Sequence, residues 1–166
     1  MLTRRNRKVG VVLASGIVVA LAGVAGFAVA APAGATGQGV LRLHEKATAE
    51  RLIGAVTSSR PAQGDQYIFA SELFAPSGAK VGTGAGVCTV VSAAASPQAL
   101  CQVTRSFAQG QVVATGVTPF GPQKPSFTTA IVGGTGKYRG TKGAETVTDR
   151  PNAAQNGSDI TLRFNK

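Results

Sequence analysis

The segment Cys88–Cys101 reads CTVVSAAASPQALC, and this pattern decides the fold class of the chain. β-Forming residues flank a centre of small residues and a proline, which is typical of a strand, a turn and a second strand. The midpoint between the two cysteines falls at Ala94–Ala95, inside the turn, so a hairpin centred there places the cysteines opposite each other. In an exported chain this arrangement predicts a disulfide between Cys88 and Cys101, with two buried free thiols as the alternative.

Strand-like segments continue on both sides of this hairpin, separated by turns rich in glycine and proline. In a first strand, Leu41, Leu43 and Glu45 share one face, whereas Ala47–Ile53 is compatible with a short helical turn. The further strands are predicted at Gln66–Phe74, Val81–Ser92, Leu100–Ala108, Gln111–Thr118, Phe127–Val132, Gly143–Thr148 and Asp159–Phe164. About eight strands without a long helix predict an all-β domain, either a closed barrel or a sandwich.

Residues 1–35 have the organisation of an export signal. Basic residues precede an uncharged run, Val9–Ala30, and small-x-small cleavage sites end at Ala30 and Ala35. The sequence thus predicts a signal peptide with a flexible junction over 1–35, a β-domain over 36–166, and a secreted protein, at the cell envelope or outside the cell. A retained membrane anchor is the alternative, because about 20 apolar residues suffice to span a bilayer. In either case only this segment contacts the membrane.

The net charge of +10 is partly a property of that signal. Without its four basic residues the chain keeps 13 Lys and Arg against 7 Asp and Glu, a net charge of +6. Nucleic acid is not expected as a partner, because aromatic residues make up only 5% of the chain and no basic–aromatic stripe occurs. No metal or cofactor is expected either, because His44 is the single histidine and no phosphate-binding loop or nucleophile–base pair can be recognised.

Four motifs rich in small residues follow one another along the β-domain. They are Gly64-Asp65 ahead of Phe69–Leu73, Gly82–Cys88, Gly110-Gln111 ahead of Gly116, and Ala130–Tyr138 ahead of Gly143. In this order they resemble the allene oxide cyclase family, and Gly133–Gly136 is also similar to dirigent proteins of the same barrel superfamily. The resemblance implies an eight-stranded antiparallel closed β-barrel with an apolar central cavity.

The resemblance also implies a type of chemistry. Members of the family restrict a flexible substrate to one reactive conformer, so a cofactor-free isomerase or cyclase, or a dirigent-like coupling protein, is expected. The implied ligand is a small apolar molecule, lipid-like or polyketide-like, and relatives form homo-oligomers. The alternative is a secreted or cell-envelope protein without catalysis, whose barrel is filled by its own side chains.

Candidate site residues follow from the positions that match the family. Glu45 matches a catalytic glutamate on the first strand of the plant enzymes, and alternation independently places it on the face of Leu41 and Leu43. The alternative is a solvated glutamate at the strand end, near the rim of the barrel. Ser71 stands where the family has a water-holding asparagine. Tyr67 and Phe69 share a strand face with Ser71, so they are expected either to bind the ligand or to pack in the core.

Two positions depart from the family pattern. Ala47 stands in place of an asparagine, and Thr118 stands in place of a tyrosine. Cys88 matches a cavity cysteine that is here expected in the disulfide. These departures, together with the export signal, argue against allene oxide cyclase activity itself, because that enzyme acts on a lipid intermediate inside a plastid.

Overall fold

Eight antiparallel strands close into a barrel in the computed structural model, which describes residues 39–54, 61–121, 126–150 and 157–165. The strands are β1 Val40–Ile53, β2 Gln66–Phe74, β3 Lys80–Ser92, β4 Gln98–Phe107, β5 Gly110–Pro119, β6 Phe127–Gly134, β7 Lys142–Asp149 and β8 Gly157–Asn165. Each strand pairs with the next one along the chain, and β1 pairs with β8 to close the sheet. The predicted eight-stranded antiparallel closed barrel is therefore confirmed, and the sandwich alternative is excluded.

Strand β1 is longer than the sequence pattern indicates. Ala47–Ile53 continues the strand and pairs with β2, so the short helical turn with which its sequence is compatible does not form. The pairing skips Thr48, which is the extra residue of a β-bulge. Cross-strand hydrogen bonds to β2 satisfy the backbone groups that a local helical turn would otherwise have to satisfy, and this long-range pairing overrides the local tendency.

The predicted export segment at residues 1–35 lies outside the described part of the chain. Within the described part, no helix combines the length and the apolar character needed to cross a membrane. The signal peptide and its cleavage site therefore stay predictions.

The two ends of the barrel differ, and we call the end at which β1 starts the lower end and the opposite one the upper end. A short 3-10 turn, Gly136–Tyr138, connects β6 to β7 at the lower end. The Tyr138 side chain is buried in the core. Its ring centroid lies 5.5 Å from that of Phe107 and 5.8 Å from that of Phe164. These three rings close the lower end.

The larger of two apolar cores begins at this closed end. Its buried residues are Leu43, Leu73, Val112, Ala114, Ile131, Tyr138, Val147, Ile160, Leu162 and Phe164. Apart from Tyr138 of the 3-10 turn, they occupy inward positions of the alternating strand pattern, as expected for the inner side of a barrel wall. Burying each of the larger aliphatic side chains stabilises the fold by roughly 1.5–3 kcal/mol. The lower part of the barrel is therefore filled by the chain's own side chains.

Three alternate glycines on β3, Gly82, Gly84 and Gly86, leave room for neighbouring groups. A Cβ atom at Gly82 would lie 2.2 Å from the carbonyl oxygen of Ser106, and one at Gly86 would lie 2.8 Å from the ring of Phe69. Real Cβ atoms do not approach other atoms this closely. The bare face of β3 is therefore taken up by backbone and side chains from β4 and β2.

Candidate functional site

A buried ionic cluster crosses the interior of the barrel. Its centre is Arg105 on β4, whose side chain is only 2% exposed. The Nη2 atom donates to Oε1 of Glu145 on β7 at 2.8 Å, and Nε lies 3.5 Å from Oε2 of the same carboxylate. The Nη1 atom donates to Oε1 of Glu45 on β1. One guanidinium therefore bridges two acids from strands that are not neighbours in the sheet.

Glu45 is fixed through one of its two carboxylate oxygens. Ser71 on β2 donates its hydroxyl to Oε1 at 2.6 Å, so this oxygen receives hydrogen bonds from both Ser71 and Arg105. No hydrogen bond within the described part of the chain ends on Oε2. The Glu45 side chain is 11% exposed, against 1% for Glu145. Glu45 therefore combines a fixed position with one oxygen that can accept a further group.

Gly84 leaves the space in which this cluster forms. A Cβ atom there would lie 2.4 Å from Oγ of Ser71, 2.6 Å from Nη1 of Arg105 and 3.1 Å from Oε1 of Glu45. Gly84 pairs with Ser71 on one side and with Arg105 on the other, so both polar side chains converge over it. A side chain at this position would displace the cluster.

The charges within the cluster are unequal. Burial alone lowers the pKa of the Arg105 guanidinium, but the carboxylates of Glu145 and Glu45 outweigh this effect and hold the pKa above its usual value. Arg105 therefore stays cationic, as arginine does in proteins generally. With both glutamates ionised, the cluster carries two negative charges against one positive charge.

A second, smaller apolar group lies between the ionic cluster and the upper end. It consists of Cys88, Cys101 and Ala99, with the partly buried rings of Tyr67, Phe69 and Phe120 packed against them. The predicted disulfide is confirmed, with an S–S distance of 2.04 Å between Cys88 and Cys101. The rings of Tyr67 and Phe69 stack with centroids 5.7 Å apart. Flat rings and small side chains therefore line this part of the barrel.

Tyr67 connects this aromatic group to acidic residues at the upper end. Its hydroxyl donates to Oε1 of Glu50 at 2.5 Å. Partial burial raises the pKa of the Tyr67 phenol well above its usual value, and the hydrogen bond to Glu50 raises it further. The charges of Glu50, Glu45 and Asp149 act in the same direction. The phenol therefore stays neutral, with the Glu50 carboxylate as its hydrogen-bond acceptor.

The structure brings the residues predicted for the site into one part of the barrel. Glu45 and Ser71 are in direct contact, and Phe69 and Tyr67 follow Ser71 along the inward face of β2. Thr118, which replaces the family tyrosine, is buried with its hydroxyl 3.3 Å from the sulfur of Cys101. The roles of these residues in binding or catalysis stay predictions.

The site residues predicted from the sequence do not include Arg105 and Glu145, although the sequence contains a signal for both. Arg105 is in phase with Cys101 and Val103 on one face of β4, so alternation places a cation inside the barrel. A buried cation needs a buried counter-charge. Glu145 is in phase with Val147 on β7 and meets that need. The signal is a charged residue at a position that strand alternation assigns to the apolar, inward face.

Thr129 is a further polar residue of the interior. It lies opposite Glu145 in the β6–β7 pairing and is 5% exposed. Its Oγ1 has no hydrogen-bond partner, which holds for no other buried side-chain nitrogen or oxygen among the described residues. Buried hydroxyls are normally hydrogen-bonded, so this one can serve a bound group. Across the described ranges, no group of three or more His, Cys, Asp or Glu residues is arranged to hold a metal ion.

His44 belongs to a separate polar group on the outer surface of the barrel. Its Nδ1 lies 2.5 Å from Oδ1 of Asp159, and Arg150 contacts both residues. Hydrogen bonding from Arg150 lowers the pKa of Asp159, partial burial opposes this, and the hydrogen bond from His44 adds to the lowering. This group does not contribute to the interior cluster.

The match to a known family covers this whole constellation. The family profile of the allene oxide cyclase barrel like domain matches residues 44–162. The chain belongs to this family. The matched range contains Glu45, Ser71, Arg105 and Glu145, so the ionic cluster lies entirely within the allene oxide cyclase barrel-like domain. No curated protein sequence matches the chain.

Solved structures share the barrel of this family. A pyocyanin demethylase is 27% identical with a TM-score of 0.63, over 75% of this chain and 98% of its own. A Diels–Alderase from Streptomyces koyangensis is 16% identical with a TM-score of 0.59, over 78% of this chain and 70% of its own. A pterocarpan synthase dirigent protein is 18% identical with a TM-score of 0.59, over 79% of this chain and 97% of its own. The fold is therefore common to proteins that carry out different reactions.

Proposed function

We propose that this protein binds a small organic molecule with an apolar body in the upper part of its barrel and directs a cyclisation or coupling of that molecule. The observation that carries the proposal is Glu45, an inward carboxylate that is held through one oxygen while the other accepts no hydrogen bond from the described residues. A carboxylate held in this way can stabilise developing positive charge or accept a proton without first reorganising.

The proposed reaction also requires that the substrate be held in a limited set of conformers, and the walls of the upper part of the barrel can impose this limit. Stacked rings at Tyr67 and Phe69 and the Cys88–Cys101 disulfide form rigid surfaces, which limit the conformers that a flexible molecule can adopt there. A pyocyanin demethylase, a Diels–Alderase and a dirigent protein share the fold. This supports a small organic substrate over a macromolecular one.

The proposal includes export from the cytoplasm. The disulfide is consistent with an oxidising compartment. Residues 1–35 carry the pattern of a signal peptide. The intact mass of the protein recovered from the medium of its own host should correspond to cleavage after Ala30 or Ala35. A full-length chain found only in the membrane fraction would support the retained anchor instead.

Native mass spectrometry of the secreted protein tests the binding proposal. We expect one retained small molecule that is released on denaturation. Glu45→Gln and Phe69→Ala should each lower its occupancy several-fold. Glu72→Gln, the same chemical change at an outward position of β2 where Glu72 pairs with Lys80, should not. A protein that is empty and ignores a panel of apolar probes would contradict the proposal.

A second candidate function is binding without catalysis. It is favoured by the filled lower end, where Tyr138 packs between Phe107 and Phe164, and by Arg105, which occupies the middle of the barrel. Incubation of the released ligand with fresh protein separates the two functions. Conversion by the wild type that is lost in Glu45→Gln supports catalysis, whereas recovery of unchanged ligand from both supports a binding role.

A further inference from the structure

The acidic residues of this basic chain are concentrated in one region. The chain has 7 Asp and Glu against 17 Lys and Arg. Glu45, Glu50 and Asp149 all act electrostatically on the phenol of Tyr67, and Asp149 ends β7 at the upper end of the barrel. Glu145 lies deeper, beside Arg105 and Glu45. Four of the 7 acids therefore lie in or above the proposed ligand site.

The positive charge in this region does not balance these acids within the described part of the chain. Arg105 is shared between Glu45 and Glu145. Glu50 and Asp149 have neutral hydrogen-bond partners, a phenol and a serine hydroxyl. A cleft lined by one sign of charge with low-dielectric walls focuses the field into its interior. Among the described residues, the four carboxylates of this region therefore outnumber the single guanidinium that contacts them, which is that of Arg105.

A second observation, independent of charge, also indicates a bound group. Oγ1 of Thr129 is buried on the inward side of β6, opposite Glu145, and has no hydrogen-bond partner. Oε2 of Glu45 likewise accepts no hydrogen bond from the described residues. Both residues belong to the inward faces of their strands, and both atoms have hydrogen-bonding capacity left for an occupant.

We infer that the molecule bound in the upper part of the barrel is a planar organic cation whose charge is spread over an aromatic system. This inference rests on the proposed function. A cation compensates the excess carboxylate, and the faces of Tyr67 and Phe69 attract it as well. A delocalised charge is more weakly hydrated than a compact ammonium group, so it loses less on entering a partly apolar site.

Three aromatic probes of similar size and different charge test this inference. They are N-methylquinolinium as the cation, N-methyl-2-quinolone as the neutral analogue, and 2-naphthoate as the anion. The chain contains no tryptophan, so the probe fluorescence can be titrated with the mature secreted protein against little background. We expect the cation to bind at least about tenfold more tightly than the neutral probe, because a unit charge a few ångströms from a carboxylate changes affinity by more than that factor. The anion should not bind measurably.

Variants locate the origin of this preference. Glu45→Gln should reduce the preference for the cation several-fold. Glu50→Gln should reduce it by a smaller factor, because Glu50 is exposed. Glu72→Gln on the outer surface should leave it unchanged. Circular dichroism checks the folding of each variant, and the exposed position of Glu50 keeps the test valid if Glu45→Gln loses stability.

The failure of this inference can be told apart from the failure of the proposed function. If the neutral probe binds as tightly as the cation, and Phe69→Ala abolishes that binding, the inference is overturned and the proposed function stands. If no probe binds, both are overturned. A preference for the cation that survives in both Glu45→Gln and Glu50→Gln also overturns the inference, because the cation then binds elsewhere.

Discussion

Replacing Arg105 by methionine should destabilise the protein severely, because it removes the cation of the buried ionic cluster. The side chain of Glu145 is 1% exposed and that of Glu45 is 11% exposed. Both carboxylates would therefore lose their counter-charge while they stay shielded from bulk water. Removing one partner of a buried ion pair costs about 3–5 kcal/mol. For a domain of this size, that loss corresponds to a fall in melting temperature of about 10–20 °C.

Replacing Glu45 by glutamine should be much milder. The change removes one of two negative charges and leaves Arg105 and Glu145 as a pair of equal and opposite charges. The new amide oxygen can still accept hydrogen bonds from Arg105 and Ser71. We therefore expect the free energy of unfolding to fall by less than about 1.5 kcal/mol. The two variants should differ in stability because the cluster has two carboxylates and only one guanidinium, so losing a carboxylate is tolerated and losing the guanidinium is not.

Thermal and urea unfolding, followed by circular dichroism, measures both effects. The control is Lys80→Met on the outer surface, which leaves Glu72 in water and should cause no measurable change. The double variant Arg105→Met/Glu145→Gln should be more stable than Arg105→Met, because it removes one of the two stranded charges. Equal melting temperatures for Arg105→Met and Glu45→Gln would refute the reasoning.

Three further predictions concern stability. Reducing the Cys88–Cys101 disulfide should lower the free energy of unfolding by about 3 kcal/mol, as expected for a loop of this length. If the melting temperature is unchanged after both thiols have been verified as free, this expectation is contradicted. Gly84→Ala should lower the free energy of unfolding by about 1–3 kcal/mol, because the methyl group displaces the ionic cluster. Gly133→Ala is the matched control, because a methyl group there meets nothing within 4 Å. Equal losses of stability in the two variants would exclude the proposed role of Gly84. The pKa of Asp159 is lowered in the folded state, so its contribution to stability is present at neutral pH and is lost as the pH falls below about 4. In urea unfolding at a series of pH values, Asp159→Asn should reduce the loss of unfolding free energy at low pH. The same dependence on pH in the variant and the wild type would contradict this role of Asp159.

The barrel and the disulfide could be predicted from the sequence because both depend on short-range patterns. Alternation and turn residues locate seven of the strands to within two residues at each end, as at Gln66–Phe74, where the predicted strand coincides with β2. The disulfide follows from the symmetry of one hairpin, in which Cys88 and Cys101 are register partners. No information about distant strands is needed for either feature.

The ionic cluster could not be assembled from the sequence because its members come from three strands that are far apart along the chain. Alternation gives the face of Arg105 and of Glu145, but the relative stagger of the strands decides whether the two side chains meet. Glu50 is concealed for a different reason. It lies five positions after Glu45, and strict alternation would assign residues five apart to opposite faces. The bulge at Thr48 changes the phase of β1, so Glu50 pairs with the inward Phe69.

The bulge at Thr48 also gives β1 a place where its length can be edited. Deleting Thr48 would leave Glu45 and Glu50 four positions apart in a regular strand, and both would keep their inward orientation. A one-residue insertion or deletion between Leu43 and Glu45 would instead exchange the faces of the strand beyond it and turn Glu45 outward. Deletion of Thr48 can therefore remove the bulge while Glu45 still opposes Leu73 and Glu50 still opposes Phe69, so the inward face of β1 tolerates a change of length only at this position.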